Sequence, residues 1–358
     1  MEEQLRHTEI PYTHIPNKFT VFFYGDRVYI GKRNYPIGQC GVDVMNMDGA
    51  VIGEIVRRAA DFGEAAHALL EEDTNAAAQL AQEKLNAVWD VVFSLPVYRD
   101  LLMDRDYTHR LIGLLLADRE KWAQVRTPGS SAAAQYERMI LELLRLPQYL
   151  TAFRQQLSIM TERYFEPLKR RGSRAYADAY ADFYTDMLRV AAAIPGEDFD
   201  QSFPVQISFV PMRHETDEDG IVIAEKTTFG SLVDFLRVEF YRGLAAGNAP
   251  RRCHNCGKYF LLTKGYNTCY CGNIAPGETD RTCRKVGAHR KEARGKAGRS
   301  PARVEYDRAY NRLKQQKNRK KISVDEWNAA VAEAMAVLER AECGELSDDE
   351  MRARFREF

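Results

Sequence analysis

The spacing of apolar and polar residues divides the 358-residue chain into stretches of different periodicity. Residues 19–30, FTVFFYGDRVYI, carry aromatic and β-branched residues on both sides of a Gly-Asp turn, which predicts a β-hairpin. Between residues 49 and 195, apolar residues recur at steps of three and four, and Pro and Gly interrupt the pattern. This periodicity predicts a bundle of about five or six helices. A small β element (1–48) therefore precedes a helical bundle (49–195).

A second pair of predicted strands follows the bundle. PVQISFVPM and GIVIAEKTTF have strand-like composition and lie on either side of an acidic turn. Ser231, with Asp234 three residues later, then predicts the start of an amphipathic helix, and Gly247 predicts its end. This β-hairpin and its linking helix form a third segment, residues 196–250.

Helical patterns return near the C-terminus. Apolar residues spaced for a helix run from about residue 301 to 320, in a stretch rich in Lys and Arg. Ser323 predicts the start of a second amphipathic helix, and a last short helix is predicted to start near Ser347. Residues 291–358 are therefore predicted to form a basic helix followed by an acidic helical hairpin.

Five of the seven cysteines lie between these helices and the third segment, in the Gly-rich residues 251–290. Cys253 and Cys256 form a Cys-x-x-Cys pair followed by Gly257, a spacing typical of a turn that directs two thiolates toward one metal ion. Cys283 stands at the start of a predicted helix, whose N-terminus would favour a thiolate. The spacing predicts a four-cysteine zinc ribbon at residues 251–290.

The remaining ligand is either Cys269 or Cys271. Cys271 precedes Gly-Asn, a turn similar to the one after Cys256, which favours Cys271 and leaves Cys269 as a free or packing thiol. His254 and His289 are weaker substitutes. Four thiolates would close the coordination sphere, so we expect a structural zinc ion with no open position for water. The predicted ligands are Cys253, Cys256, Cys271 and Cys283.

The elements together predict an α+β fold that is mostly α. Its order is an N-terminal β-hairpin, a helical bundle, a small β-hairpin plus helix, and a zinc ribbon with C-terminal helices. The first residues contain no apolar leader, and no run of about 18 apolar residues occurs. We therefore expect a cytoplasmic protein that does not bind membranes, and the clustered cysteines agree with a reducing compartment.

The net charge of zero conceals an uneven distribution. Residues 251–321 contain 20 Lys and Arg against 5 Asp and Glu, whereas the segments on both sides are acidic. Such a basic segment attracts polyanions, although it could instead be a solvated helix or bind the acidic remainder of the chain. The residues predicted to contact nucleic acid are Arg284, Lys285, Arg290, Lys291, Arg294, Lys296 and Arg299.

The run CHNCGKYFLLTKGYNTCYCGNIAPGETDRTCRKVGA, with SLVDFLRVEFYRGL before it and VEYDRAYNRLKQQ after it, resembles the bacterial family catalogued as domain of unknown function 6076. The cysteine segment is also similar to the CGNR zinc finger of predicted bacterial transcription regulators. In that pattern the third ligand falls at Cys271 and the fourth at Cys283. This chain departs from the pattern because no Arg follows Asn273, and an insertion at 273–280 lengthens the loop.

The leading hypothesis is a zinc-binding and nucleic-acid-binding protein, a bacterial transcription regulator whose helical N-terminal domain senses a ligand or binds a protein partner. The first alternative is a protein-interaction adaptor in which the zinc module only holds the C-terminal helices. The second is a ribonuclease using Arg284 and His289. The chain contains no P-loop, dinucleotide fingerprint, HExxH or nucleophile elbow, so no catalytic residues and no enzyme activity are predicted.

Overall fold

The computed structural model describes residues 18–101, 105–192, 205–213, 220–263, 268–289 and 299–358. The chain divides into two compact units, Met1–Cys271 and Gly272–Phe358. Helices dominate both units, and the strands form small antiparallel sheets, which confirms the predicted α+β, mostly α fold class. Among the described residues no helix is both long enough and apolar enough to cross a membrane.

The first unit contains a five-stranded antiparallel sheet in the order β3-β2-β1-β5-β4. Its N-terminal hairpin has the predicted position, with Gly25 at a φ of 56° in the turn. β1 also pairs with β5, and Phe19 lies opposite Phe229. Since a two-stranded hairpin is marginal alone, joining the two hairpins stabilises both. The strands are β1 (Phe19–Tyr24), β2 (Arg27–Ile30), β3 (Arg33–Pro36), β4 (Gln206–Arg213) and β5 (Ile221–Phe229).

This pairing places parts of the predicted segments 1–48 and 196–250 in one sheet. A single hydrophobic core then extends from the sheet into the helical bundle, and Phe19, Phe153 and Phe235 are all fully buried in it. The segments are therefore continuous in space although the bundle separates them in sequence.

Helices α1 to α7 follow the first three strands, and most begin where the sequence supplies a capping side chain. Asp48, Thr74, Asp118 and Ser130 each accept a hydrogen bond from the first turn of their helix. A π-helix, Met160–Phe165, continues α6 directly. The helices are α1 (Gln39–Asn46), α2 (Gly49–Glu72), α3 (Asn75–Val92), α4 (Arg105–Leu116), α5 (Arg119–Val125), α6 (Ser131–Ile159) and α7 (Ser173–Ala192).

Helix α8 (Leu232–Ala246) begins and ends as predicted. The Ser231 hydroxyl caps its first turn, and Gly247 ends it with a φ of 89°. It leads into a two-stranded ribbon of β6 (Ala249–Arg252) and β7 (Tyr259–Leu262). α8 also approaches the start of α1 closely. A Cβ built on Gly243 would lie only 3.0 Å from Gly38 Cα.

We predict that Gly243→Ala destabilises the first unit. The added Cβ would also lie 3.1 Å from the Ile37 carbonyl oxygen, and backbone atoms cannot rotate away as a side chain can. Overpacking of this kind costs about 1–3 kcal/mol, which exceeds the gain of about 1 kcal/mol from helix propensity. Urea unfolding followed by tryptophan fluorescence should show the loss in a Trp327→Phe background, where Trp89 and Trp122 report on the bundle.

Gly63→Ala is the matched control for this substitution. Gly63 lies inside α2, and nothing lies within 4 Å of a Cβ built there. The same chemical change should therefore raise the free energy of unfolding by about 0.5–1 kcal/mol. Stabilisation by both substitutions would show that α8 does not depend on the close approach at Gly38.

The second unit contains residues 283–289, which are helical (α9), and three further helices, α10 (Pro301–Asn318), α11 (Val324–Glu342) and α12 (Asp348–Arg356). Ser323 and Ser347 begin α11 and α12 as predicted, and each forms a reciprocal capping box with a Glu three residues later. The last three helices share a small core formed by Ala302, Tyr306, Ala309, Ala334, Val337, Leu338, Met351 and Phe355.

Candidate metal centre

Four cysteine side chains converge on one point. Their Sγ atoms all lie within 4.8 Å of one another. Three of the thiols are buried, and the one at Cys256 is half-buried. The group consists of Cys253, Cys256, Cys271 and Cys283, the same four cysteines that the sequence predicts as ligands.

The turn between β6 and β7 positions the first two thiols. The Cys253 N–H donates to the Lys258 carbonyl oxygen (2.8 Å), and the Gly257 N–H donates back to the Cys253 carbonyl oxygen (2.9 Å). Gly257 has a φ of 73°, a backbone conformation that residues with a side chain rarely adopt. The Cys-x-x-Cys-Gly spacing therefore reverses the chain tightly enough to bring the Cys253 and Cys256 thiols together.

A second closed turn positions Cys283 near Cys271. The Cys283 N–H donates to the Asn273 carbonyl oxygen (2.8 Å), and the Ala275 N–H donates to the Arg281 carbonyl oxygen (2.9 Å). An isolated bridge between Ile274 and Thr282 lies between these bonds. The inserted residues thus form a loop closed at its base, so the longer spacing does not separate the two cysteines.

The thiol geometry fits a tetrahedral metal ion. Cys256 Sγ and Cys271 Sγ are 3.7 Å apart, close to the separation of about 3.8 Å that follows from tetrahedral Zn–S bonds of about 2.3 Å. Burial opposes ionisation of the Cys253 thiol, but backbone N–H groups of Cys271, Cys256 and Asn255 outweigh it and lower its pKa to about 7. The cluster could therefore hold a metal ion through four thiolates.

Cys269 lies outside this group. Its Sγ accepts a hydrogen bond from Arg251 Nη2 (3.1 Å), and its carbonyl oxygen accepts one from the His254 N–H (2.9 Å). His254 and His289 are exposed, and neither joins the thiol group among the described residues. The structure thus gives Cys269 a contact with a buried arginine and groups Cys271 with the other three thiols.

Comparison with known proteins bears on the same region. Residues 200–356 match the model of a Family of unknown function (DUF6076). No curated protein and no solved structure matches the chain. The DUF6076 match includes all four clustered cysteines and the C-terminal helices, and it supports the resemblance found in the sequence over this part of the chain. The function of this family is unknown.

Contacts that sequence reasoning missed attach the ribbon to the bundle within the first unit. Glu166, directly after the π-helix, accepts from the Arg252 N–H (3.3 Å), and its carboxylate lies 3.6 Å from Arg251 Nε. Asn46 forms two hydrogen bonds with the backbone of Tyr259 in β7. Its side chain accepts from the Tyr259 N–H (2.8 Å) and donates to the Tyr259 carbonyl oxygen (2.7 Å). The DUF6076-matched ribbon is therefore fixed to helices that lie outside the match.

The seven residues predicted to contact nucleic acid fall into three groups. Arg284 and Lys285 lie exposed on α9, directly after Cys283. Arg299 forms an ion pair with Asp307. Four more of the predicted residues lie outside the described residues: Arg290, Lys291, Arg294 and Lys296.

Proposed function

We propose that this chain is a zinc-binding and nucleic-acid-binding protein of the bacterial cytoplasm that regulates transcription. A structural zinc ion on Cys253, Cys256, Cys271 and Cys283 would fix the start of the basic segment, and cations after Cys283 would contact phosphates. The proposal is supported above all by a group of exposed cations at the end of α10. They are Lys314, Arg319, Lys320 and Lys321.

The two ends of α10 differ in how their charges are balanced. Near its start, Arg299 and Arg303 pair with Asp307, and Arg308 pairs with Glu305. In contrast, none of the four cations at the other end forms an ion pair with any described residue. Unbalanced positive charge is therefore concentrated at one end of the helix.

Stabilisation of the helix does not by itself explain why these four unpaired cations lie together. A cation in the last turn interacts favourably with the helix dipole, by about 0.3–1 kcal/mol, but the effect is confined to that turn. Further unpaired cations beyond it repel each other and add little. Phosphate contacts give a reason for the group, because each Lys or Arg that neutralises a phosphate releases bound counterions.

The salt dependence of binding tests the proposal. Lys320→Gln with Lys321→Gln removes two unpaired charges from the α10 end. We expect weaker binding of zinc-loaded protein to duplex DNA, and a slope of log affinity against log salt that falls by about 1.8, from about 0.9 per contact. Fluorescence anisotropy with random duplex DNA and RNA at several salt concentrations measures both quantities.

The matched control removes the same net charge from the start of α10. Arg303→Gln with Arg308→Gln deletes two arginines that pair with acidic side chains. This variant should keep the salt slope of the unmodified protein. Equal effects of the two variants would mean that only net charge matters, and absence of binding to DNA and RNA at low salt would remove the proposal.

A protein-interaction adaptor is the second candidate function, because the β4–β5 hairpin exposes apolar side chains. Ile207 and Phe209 on β4 and Ile221 and Ile223 on β5 are between 51% and 75% exposed. The strand register places all four on the same face of the sheet. An exposed apolar group of this kind is typical of a protein-binding surface, so a protein that fails to bind DNA or RNA at low salt would favour this alternative.

A further inference from the structure

A two-part cleft runs along α6 in the bundle. Its larger part, of about 640 Å³, lies between α2 and α6 and is apolar, with Val56, Leu144 and Pro147 in its walls. Its smaller part, of about 330 Å³, is lined by Arg154 and by Tyr259 of β7. Thr151 and Gln155 line both parts, so the two adjoin.

Helical periodicity explains why the larger part is apolar. Ile52 and Val56 are four residues apart on α2, and Leu143 and Pro147 have the same spacing on α6, so each helix contributes one face. Val56 and Leu144 are 53% and 60% exposed. Apolar side chains thus line a concavity whose size lies within the range of small-molecule sites.

The smaller part contains a cation without an acidic partner. Arg154 Nη2 donates to the Met47 carbonyl oxygen (2.7 Å) and more weakly to that of Met45 (3.4 Å). No carboxylate of the described residues forms an ion pair with this half-buried guanidinium. The Glu162 carboxylate, which accepts from the Tyr259 hydroxyl (2.7 Å), forms an ion pair with Arg252 instead. The backbone carbonyls hold Arg154 in place and leave its charge unbalanced.

We infer that this cleft binds a small molecule with an apolar chain and a single carboxylate. The chain would lie between α2 and α6, and the carboxylate would bind the Arg154 guanidinium, whose planar donors match a carboxylate well. One unpaired guanidinium balances one negative charge, whereas a doubly charged phosphate would leave excess charge in a partly desolvated site. No local sequence pattern indicates this site, because its walls come from separate helices and from the ribbon.

Calorimetric titration of the full-length, zinc-loaded protein with decanoate tests the inference. We expect saturable binding to one site per chain. Decanol has the same chain without the carboxylate and should bind at least about tenfold more weakly, the usual loss when a charged hydrogen-bonding group is removed. Equal affinity for the two probes, or no saturable binding of decanoate, would overturn the inference without any substitution.

Substitutions in the two parts of the cleft test where the carboxylate and the apolar chain of the ligand bind. Arg154→Gln should weaken decanoate binding at least about tenfold and leave decanol binding unchanged. Arg138→Gln removes an exposed charge from the same helix outside the cleft, and it should change neither. Leu144→Gln alters an exposed side chain of the apolar wall and should weaken both probes. Unchanged decanoate affinity in a folded Arg154→Gln variant would also overturn the inference.

A second copy of the chain is the competing occupant of the apolar part. Sedimentation velocity over a range of protein concentrations distinguishes the two cases. A dimer that Leu144→Gln dissociates, together with no decanoate binding, would assign the cleft to self-association instead. A monomer that binds decanoate supports the ligand site.

Discussion

Substitution of any clustered cysteine is expected to abolish zinc binding and to unfold the ribbon. Among the described residues from 251 to 289, Leu262 and Ala275 are the only buried apolar side chains apart from the cysteines. Such a core cannot hold the two turns together by itself. Structural zinc supplies about 10–16 kcal/mol in small zinc peptides, which is far more than burial of two side chains provides. Cys283→Ser should therefore lose both the metal and the ribbon structure.

Metal analysis and limited proteolysis measure the two losses. Purified unmodified protein should contain stoichiometric zinc and resist cleavage within residues 251–263 and 268–289, and Cys283→Ser should show neither property. The first unit, with its own extensive core, should still unfold cooperatively in urea. Addition of a chelator to the unmodified protein should reproduce the behaviour of the variant.

Cys269→Ser is the matched control. It changes a thiol in the same segment whose Sγ contacts Arg251 and lies outside the four-thiol group. Zinc content should be unchanged, with only the modest effect of altering one side-chain hydrogen bond. Loss of zinc in Cys269→Ser but not in Cys271→Ser would overturn the proposed ligand set.

The parts of the structure that sequence predicted best depend on local chemistry. Ser231, Ser323 and Ser347 act as helix caps because each accepts from an N–H only three residues away. The Cys-x-x-Cys-Gly turn is likewise specified within a few residues. Cys271 is also followed by a Gly-containing turn, and this similarity favours Cys271 over Cys269 as a predicted ligand. Local capping and turn signals are thus readable without knowledge of the remaining fold.

The missed features depend on residues far apart in sequence. The pairing of β1 with β5 joins strands on opposite sides of the helical bundle, and neither strand carries a signal for its partner. Similarly, Arg154 and Tyr259 meet at one end of the cleft only because β7 is attached to α1 and α6. Composition indicates a basic segment, but the ion pairs that neutralise the start of α10 become visible only with side-chain positions.

Glu239 is another residue whose role only the structure reveals, and its removal should be strongly destabilising. Helix α1 begins after Gly38, which has a φ of 103° and no side chain to cap the helix. The fully buried Glu239 of α8 performs this role, accepting from the N–H groups of Gly38 (2.5 Å), Cys40 (3.2 Å) and Gly41 (3.4 Å). A carboxylate from one helix therefore replaces the missing cap of another.

Glu239→Ala should lower the free energy of unfolding of the first unit by about 3–5 kcal/mol. Three buried N–H groups would lose their acceptor, and a cavity would remain. Urea unfolding of Trp327→Phe protein, followed through Trp89 and Trp122, measures the loss. Glu83→Ala, at an exposed position of α3, should change the value by less than about 0.5 kcal/mol. A similar small change for Glu239→Ala would show that the start of α1 does not depend on this carboxylate.

The pH dependence of stability separates the charge of Glu239 from its packing. Burial raises the pKa of this carboxyl to about 7, even though three backbone N–H groups favour the ionised form. The folded state thus retains a proton that the unfolded state releases near pH 4.5, so this contribution to stability is full at low pH and is lost as the pH rises through about 7. The loss between pH 4.5 and 8 should be on the order of 3 kcal/mol.

Glu239→Gln cannot titrate, so its unfolding free energy should lack this decline, while contributions from neighbours such as Asp43 remain in both proteins. Parallel pH curves for the two proteins would mean that Glu239 stays ionised in the folded state and that its three N–H donors outweigh its burial.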